Sequence, residues 1–259
     1  MTDGPEVSLA IVSHRQLPLV ERALESLART APRCSYEIVL VENVARAAPP
    51  SLDRLAGLAV RFFVAPSPVG LARNLNRLFR HTRAELFCVV NPDVVFLEDV
   101  VTPLAEAVRG GAADIAAPTI VDSRGRLLAS ARAVPRPLEL IARRLSDAAS
   151  GEGLALEPTW LAGTFLLMRR NTFERLGGFD ERYHLYFEDV DFGCRASLAG
   201  LRLLRRPDLR LAHDPARRSR SHPRYFLWHV ASALRFFTSP TYRTALAWER
   251  LRASARAAA

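Results

Sequence analysis

The 259-residue chain has no lysine; all 36 of its basic residues are arginine. Together with the abundant alanine, this reads as a bias of base composition, so no arginine can be argued to stand at its position in preference to lysine. Cysteine is scarce. Cys34, Cys88 and Cys194 are far apart and odd in number, and no CxxC pair occurs, which excludes a paired-thiol motif and predicts reduced, buried thiols. No apolar run approaches the roughly 20 residues of a membrane span. The start, MTDGPEVSLA, lacks the basic region and long apolar core of a signal peptide. The expected location is cytoplasmic.

What is present is a globular mixture, 49% apolar and 24% charged, long enough to bury a substantial core. The net charge of +9 is unevenly placed. From Arg195 onward fourteen arginines face three acids, a net of +11, which leaves −2 for the rest. A field of that sign attracts nucleic acid, anionic lipid or a phosphorylated substrate, and the sign alone does not choose among them.

Short apolar runs at 7–13, 36–43, 60–66 and 86–96 predict buried strands. The last runs into a turn at Asn91–Pro92. Amphipathic stretches at 18–31 and 68–82 predict helices, the first with Pro18 near its start. A third helix ends near Val108. This alternation predicts an α/β layer fold with a mainly parallel sheet. After 114–122 the pattern loosens: 123–157 reads as loop with one short helix around 137–147. A strand follows at 159–170, then a helical turn closed by Gly177–Gly178. A helix to about Ala199, two short strands within 201–214, and helices at about 223–238 and 241–256 complete the chain.

Ligands of such sheets sit beyond the C-terminal strand ends. Those ends are Ser13–His14, Glu42–Asn43 and Asn91–Pro92–Asp93, all polar directly after apolar runs. The most unusual stretch is YFEDVDFGCR, 186–195, where Glu188, Asp189 and Asp191 crowd together among aromatic residues. Like charges beside apolar neighbours are costly. A helix start stabilises an acid by about 0.3–1 kcal/mol, which accounts readily for one acid but not for three.

The stretches IVSHRQLPLVERALESL, VLVEN, PVGLARNLN, NPDVVFLEDV, WLAGTFLLMRR, LGGFDERYHLYFEDVDFGCR and AHD, in this order, resemble the family 2 glycosyltransferases and their rhamnosyltransferase-like branch. They extend over residues 7–213. The resemblance implies a GT-A fold, a Rossmann-like nucleotide-diphospho-sugar transferase domain over 1–215, with a donor half to about 120 and an acceptor half to 215. A basic helical segment, 216–259, follows. The implied activity is inverting transfer of a sugar, rhamnose among the candidates, from a dTDP- or UDP-linked donor to a glycan or lipid-linked acceptor in cell-surface polysaccharide synthesis.

The resemblance also implies roles. Asp189 matches the catalytic base, with Glu188 beside it. Asp93 and His213 would hold a divalent cation, Mg²⁺ or Mn²⁺, on the leaving diphosphate. Asn91 stands where the wider family often has a first Asp, as it does in the rhamnosyltransferase-like branch. Ser13, His14, Glu42, Asn43, Arg73, Asn74, Asn91 and Gly163 would line the donor pocket, and Glu42 replaces the family's usual Asp. Trp160, Thr164 and Asp191 would face the acceptor. Read without the resemblance, Asn91–Pro92–Asp93 is also an ordinary turn and His213 an ordinary structural histidine.

The stretch 216–237 mixes arginine and aromatic residues. It reads as a loop closing on the diphosphate through Arg217, Arg218 or Arg220, as an interfacial helix placing Phe226, Trp228, Phe236 and Phe237 in a membrane surface, or as an ordinary packed helix. Two other readings of the whole chain stay open: a catalytically silent GT-A relative, and a basic nucleic-acid-binding protein. The second explains none of the acids at strand and helix ends, so no nucleic acid is expected as partner.

Overall fold

The computed structural model describes residues 4–44, 58–145, 158–214 and 222–257. The foreseen boundary at 215/216, and Arg217, Arg218 and Arg220, lie outside the described residues. The strands are β1 Val7–Ser13, β2 Tyr36–Glu42, β3 Val60–Val64, β4 Leu86–Val90, β5 Val94–Phe96, β6 Ile115–Val121, β7 Ala131–Arg132, β8 Trp160–Leu161, β9 Phe165–Arg169 and β10 Leu203–His213. The helices are α1 Leu17–Thr30, α2 Leu71–His81, α3 Val101–Arg109, α4 Pro137–Leu145, α5 Arg170–Arg175, α6 Glu188–Leu198, α7 Pro223–Thr238 and α8 Pro240–Ala257.

Eight strands form one sheet in the order β3-β2-β1-β4-β9-β6-β10-β5. β3, β2, β1 and β4 run parallel, β9 is antiparallel to both β4 and β6, and β6 and β10 are again parallel to each other. This is the GT-A architecture. Fully buried apolar strands such as β1 and β6 need helices on both faces. α1 and α3 supply one layer, joining Leu24, Leu27, Val101 and Leu104 to Leu9, Ile11 and Leu40. α2, α5 and α6 supply the other, with Phe79, Phe173, Phe179 and Phe192 clustered under Phe87. The three cysteines are buried and unpaired.

Three departures from the sequence pattern have physical causes. The run 86–96 is two strands, because Asn91–Pro92–Asp93 turns the chain and sends β5 to the far sheet edge, antiparallel to β10. The two short strands foreseen within 201–214 are one, β10, whose pairing to β6 slips between Arg206 and Arg210. In α7, Phe236 is fully buried against Phe187 and Tyr242 and so is not available to a membrane surface, while the half-buried Phe237 packs edge-on to Phe187. Trp228 lies against His184 with ring centroids 4.5 Å apart. The exposed apolar residues of that helix are Phe226, Leu227 and Leu234.

α6 carries the crowded acids, and one residue sets how close it sits to the short β7–β8 ribbon. A Cβ on Gly193 would stand 2.5 Å from Trp160 Cβ and 2.7 Å from its Cα. Only glycine allows this approach. Gly193→Ala is therefore expected to cost about 1–3 kcal/mol of stability through overpacking. Urea unfolding measures it, and an unchanged midpoint would show that Trp160 yields freely.

Candidate active site

Glu188 and Asp189 open α6, directly after two strained residues. Tyr186 and Phe187 have φ of 71° and 66°, a left-handed conformation that bulky side chains rarely adopt. Packing holds it: Phe187 is buried among Phe236, Phe237 and His229, and the Leu185 carbonyl accepts a hydrogen bond from the Ser232 hydroxyl at 2.9 Å. Strain of this kind persists only where the surroundings over-determine it. Here it points the first turn of α6 into a cavity of about 550 Å³.

The cavity wall includes Asn91, Trp160, Gly163, Thr164, Glu188 and Asp189. Asp189 Oδ2 accepts from the Gly163 amide at 2.8 Å, and its Oδ1 accepts from the Val190 amide at 2.9 Å. Glu188 is buried, and its Oε2 has no hydrogen-bond partner among the described residues. Burial first, and then the neighbouring Asp189 charge, push the Glu188 carboxyl up to about 8. Burial also raises Asp189, while the Gly163 and Val190 amides and the Arg132 charge pull it back. Both carboxyls are thus raised, and the two amides on the Asp189 oxygens favour its charged form over that of Glu188.

The third acid is turned away. Asp191, expected at the acceptor, is 3% exposed and pairs with Arg195 Nε at 2.7 Å, one turn along α6. Arg195 also donates to the Gly178 carbonyl at 2.9 Å, so Asp191 fixes the Gly177–Gly178 turn and does not line the cavity. Helical spacing is the reason: an i, i+4 partner stood ready on the packed face.

The ends of β1 and β2 form a hydrogen-bonded shelf. Buried Glu42 accepts from the Ser13 hydroxyl at 2.8 Å and from the Arg15 amide at 2.9 Å. Asn43 spans to Val69, donating from Nδ2 to its carbonyl at 2.8 Å and accepting its amide at 2.9 Å, and its Nδ2 lies 3.1 Å from His14 Nδ1. Asn74 is buried on α2, and neither atom of its amide has a hydrogen-bond partner among the described residues. Arg73, half exposed, pairs with Glu181 at 2.9 Å and does not line the cavity.

Asn91 ties the two halves together, its amide donating to the Thr164 carbonyl at 2.9 Å. Two residues on, Asp93 meets His213 at the β5–β10 edge, His213 Nε2 standing 3.1 Å from Asp93 Oδ1. That oxygen is buried and accepts no hydrogen bond among the described residues. A carboxylate oxygen left in this state beside an imidazole nitrogen suits a hard divalent cation. No group of three or more His, Cys, Asp or Glu ligands occurs among the described residues, so the chain would supply only part of a coordination shell. Neither Asp93 nor His213 lines the cavity itself.

The model of glycosyl transferase family 2 matches residues 8–177. The chain belongs to glycosyl transferase family 2. Among relatives, it is 41% identical over 78 residues to the rhamnosyltransferase WbbL of Escherichia coli K12, a stretch that is 30% of either chain. It is 28% identical over 245 residues to the N-acetylglucosaminyl-diphospho-decaprenol L-rhamnosyltransferase of Mycobacterium tuberculosis, covering 83% of this chain and 78% of that one. Among solved structures, the mannosyltransferase PcManGT of Pyrobaculum calidifontis, in complex with GDP-Man and Mn²⁺, superposes with a TM-score of 0.58 at 21% identity, covering 99% of this chain and 81% of that one. The protein is thus a rhamnosyltransferase-like glycosyltransferase with the GT-A fold.

Sequence reasoning missed the far wall of this glycosyltransferase's cavity: Arg132, Arg136, Glu139 and Leu140 around β7 and α4, and His229 on α7. The first four fall where the apolar periodicity breaks down, and only the arginines in ARAVPRPLEL offered a signal.

The carboxylate pair makes stability pH-dependent. Glu188 holds its proton to about 8 when folded, against an ordinary 4.5. Its contribution is full below about pH 4.5 and is lost as pH rises toward 8, because the unfolded chain releases the proton first. Glu188→Gln should flatten the decline in melting temperature between pH 5 and 8; a parallel decline in both proteins would place the proton elsewhere.

Proposed function

We propose that the protein is an inverting glycosyltransferase that moves a sugar from a nucleoside diphosphate to a hydroxyl of a lipid-linked or glycan acceptor in cell-surface polysaccharide synthesis. The observation that carries this is Asp189: a carboxylate on the cavity wall, held by two backbone amides beside the buried carboxyl of Glu188. Asp189 takes the proton of the acceptor hydroxyl as that oxygen bonds to the anomeric carbon and the bond to the diphosphate oxygen breaks. General-base catalysis of this kind contributes roughly 10²–10⁴ in rate. Trp160 offers a ring face to a sugar, its indole N–H already satisfied by the Ala133 carbonyl at 2.9 Å. Thr164 and Gly163 stand beside it on the same wall.

The donor lies along the strand ends in this reading, between Ser13, His14, Glu42 and Asn43 at one end and Asn91 and Asp93 at the other. Because Glu42 is already engaged by Ser13 and Arg15, it shapes the nucleoside pocket and has little free capacity to read the base. The unpartnered Asn74 amide is a buried group that a bound donor would relieve, an uncompensated amide costing about 1–3 kcal/mol. Arg73 reaches a diphosphate only by leaving Glu181. A divalent cation, Mn²⁺ or Mg²⁺, fits the Asp93–His213 pair and would offset charge on the leaving diphosphate; PcManGT is a neighbour with Mn²⁺ bound. His213 must be neutral to ligate it.

dTDP-rhamnose or a UDP-sugar is the proposed donor, after the rhamnosyltransferase relatives. The decaprenol-linked acceptor named for the mycobacterial relative suggests a lipid-borne one here. No helix among the described residues is long and apolar enough to cross a membrane. A peripheral contact at the cytoplasmic face would use the exposed Phe226, Leu227 and Leu234 of α7, with Arg224 and Arg235 beside them for anionic headgroups.

A calorimetric and turnover screen of UDP- and dTDP-sugars with and without Mn²⁺ tests the reading. Asp189→Asn is expected to lower transfer at least about 100-fold while donor affinity is kept; transfer undiminished in that variant would refute the base. Asp93→Ala should weaken Mn²⁺ binding in the presence of the nucleoside diphosphate, followed by the paramagnetic signal of free Mn²⁺.

A further inference from the structure

The far wall of the cavity carries two arginines that the transfer chemistry does not use. Arg132, on β7, lies with its guanidinium 5.8 Å from the Trp160 ring, and its charge acts on Asp189. Arg136 directly precedes α4, is exposed, and faces Glu139 at 3.9 Å. So exposed and long a pair contributes little, and an incoming anion displaces it cheaply. From Arg136 the chain enters a short helix that turns Leu140 to the cavity and leaves Leu138 80% and Ile141 57% exposed. The chemistry thus runs from a carboxylate at Asp189, to cationic groups at Arg132 and Arg136, to exposed apolar side chains on α4. An acceptor built as hydroxyl-bearing sugar, then phosphate, then hydrocarbon presents the complementary series.

We propose that Arg132 and Arg136 form the phosphate subsite of a phosphorylated lipid acceptor, with Leu138 and Ile141 taking the first part of its chain. Guanidinium groups suit phosphate oxygens through paired, charge-assisted hydrogen bonds. The donor diphosphate is a poorer occupant, because Asp93 and His213, which suit its cation, do not line this cavity. The assignment rests on the proposal that Asp189 deprotonates the acceptor.

The test titrates farnesyl diphosphate and inorganic pyrophosphate into the full chain by calorimetry, with Mn²⁺ and saturating UDP present to fill the donor side. Farnesyl diphosphate is expected to bind at least about tenfold more tightly than pyrophosphate. Arg132→Gln and Arg136→Gln should each weaken it about tenfold or more, and Arg132→Lys should recover part of the loss. Leu138→Ser with Ile141→Ser should remove the advantage over pyrophosphate and leave pyrophosphate binding as it was. Arg136 is exposed, so its variant keeps the fold. Unchanged affinity in Arg136→Gln overturns the subsite, as does equal binding of the two probes or failure of farnesyl diphosphate to bind while UDP fills the donor side. The readout is binding, so the two readings fail separately. Absence of transfer with every nucleotide sugar would sink the proposed reaction and leave the subsite measurable. Transfer to a phosphorylated lipid acceptor with wild-type KM in Arg136→Gln would sink the subsite alone.

Discussion

The hydrogen bond from the Gly163 amide to Asp189 Oδ2 is the contact on which the rest of the site depends. It joins the turn between β8 and β9 to the first turn of α6, two segments some 26 positions apart in the chain. Its geometry needs glycine at 193 and leaves little room for a side chain at 163. At Gly193 a side chain would collide with Trp160, and at Gly163 a Cβ would stand 3.2 Å from Asp189 Cβ. The close seating also accounts for the strain at Tyr186 and Phe187. The chain must reverse sharply to deliver the carboxylates, and the buried Phe187 ring holds the reversal in place.

Charge follows from that seating. Two acids at one helix start, in water-poor surroundings, cannot both ionise readily. The amides favour the charged form of Asp189 over that of Glu188, whose Oε2 has no hydrogen-bond partner among the described residues. Asp93 and His213 form a second polar centre at the β5–β10 edge. The backbone amide of Asn91, bonded to the Thr164 carbonyl, joins the end of β4 to the cavity wall two residues before Asp93.

Much of this was legible in the sequence, and what was not shares a cause. β1, β2, α1 and α2 follow from local periodicity, since each buries one face or both, whereas β3, expected as a buried strand, is an edge strand with no fully buried residue. The acid-rich YFED stretch is conspicuous because its cost is local as well. The reversed direction of β9, the edge position of β5 and the single long β10 depend on partners far along the chain, which no window of residues contains. The same limit explains Asp191: its spacing from Glu188 was visible, whereas the choice of Arg195 and the Gly178 carbonyl as its partners came from packing. It explains the cavity's far wall too, where Arg132 and Arg136 sit in a segment without periodicity and become neighbours of Asp189 only through the β7–β8 pairing.

The C-terminal helices are part of this constraint. Ala233, Phe236 and Ala245 complete a third core with Tyr183, Phe187, Val190 and Cys194, directly behind the carboxylates. Glu249 of α8 accepts from the Val134 amide at 2.6 Å and from the Thr159 hydroxyl at 2.5 Å, tying that helix to the chain just after β7 and just before β8. The inward-facing aromatics of α7 therefore hold the turn that precedes α6. The outward residues of α7, Phe226, Leu227 and Leu234, are left to any surface the enzyme meets. Ser232 of α7 holds the Leu185 carbonyl, and the same helix packs Phe236 and Phe237 on Phe187, so α7 and the turn that seats Asp189 form one packed unit.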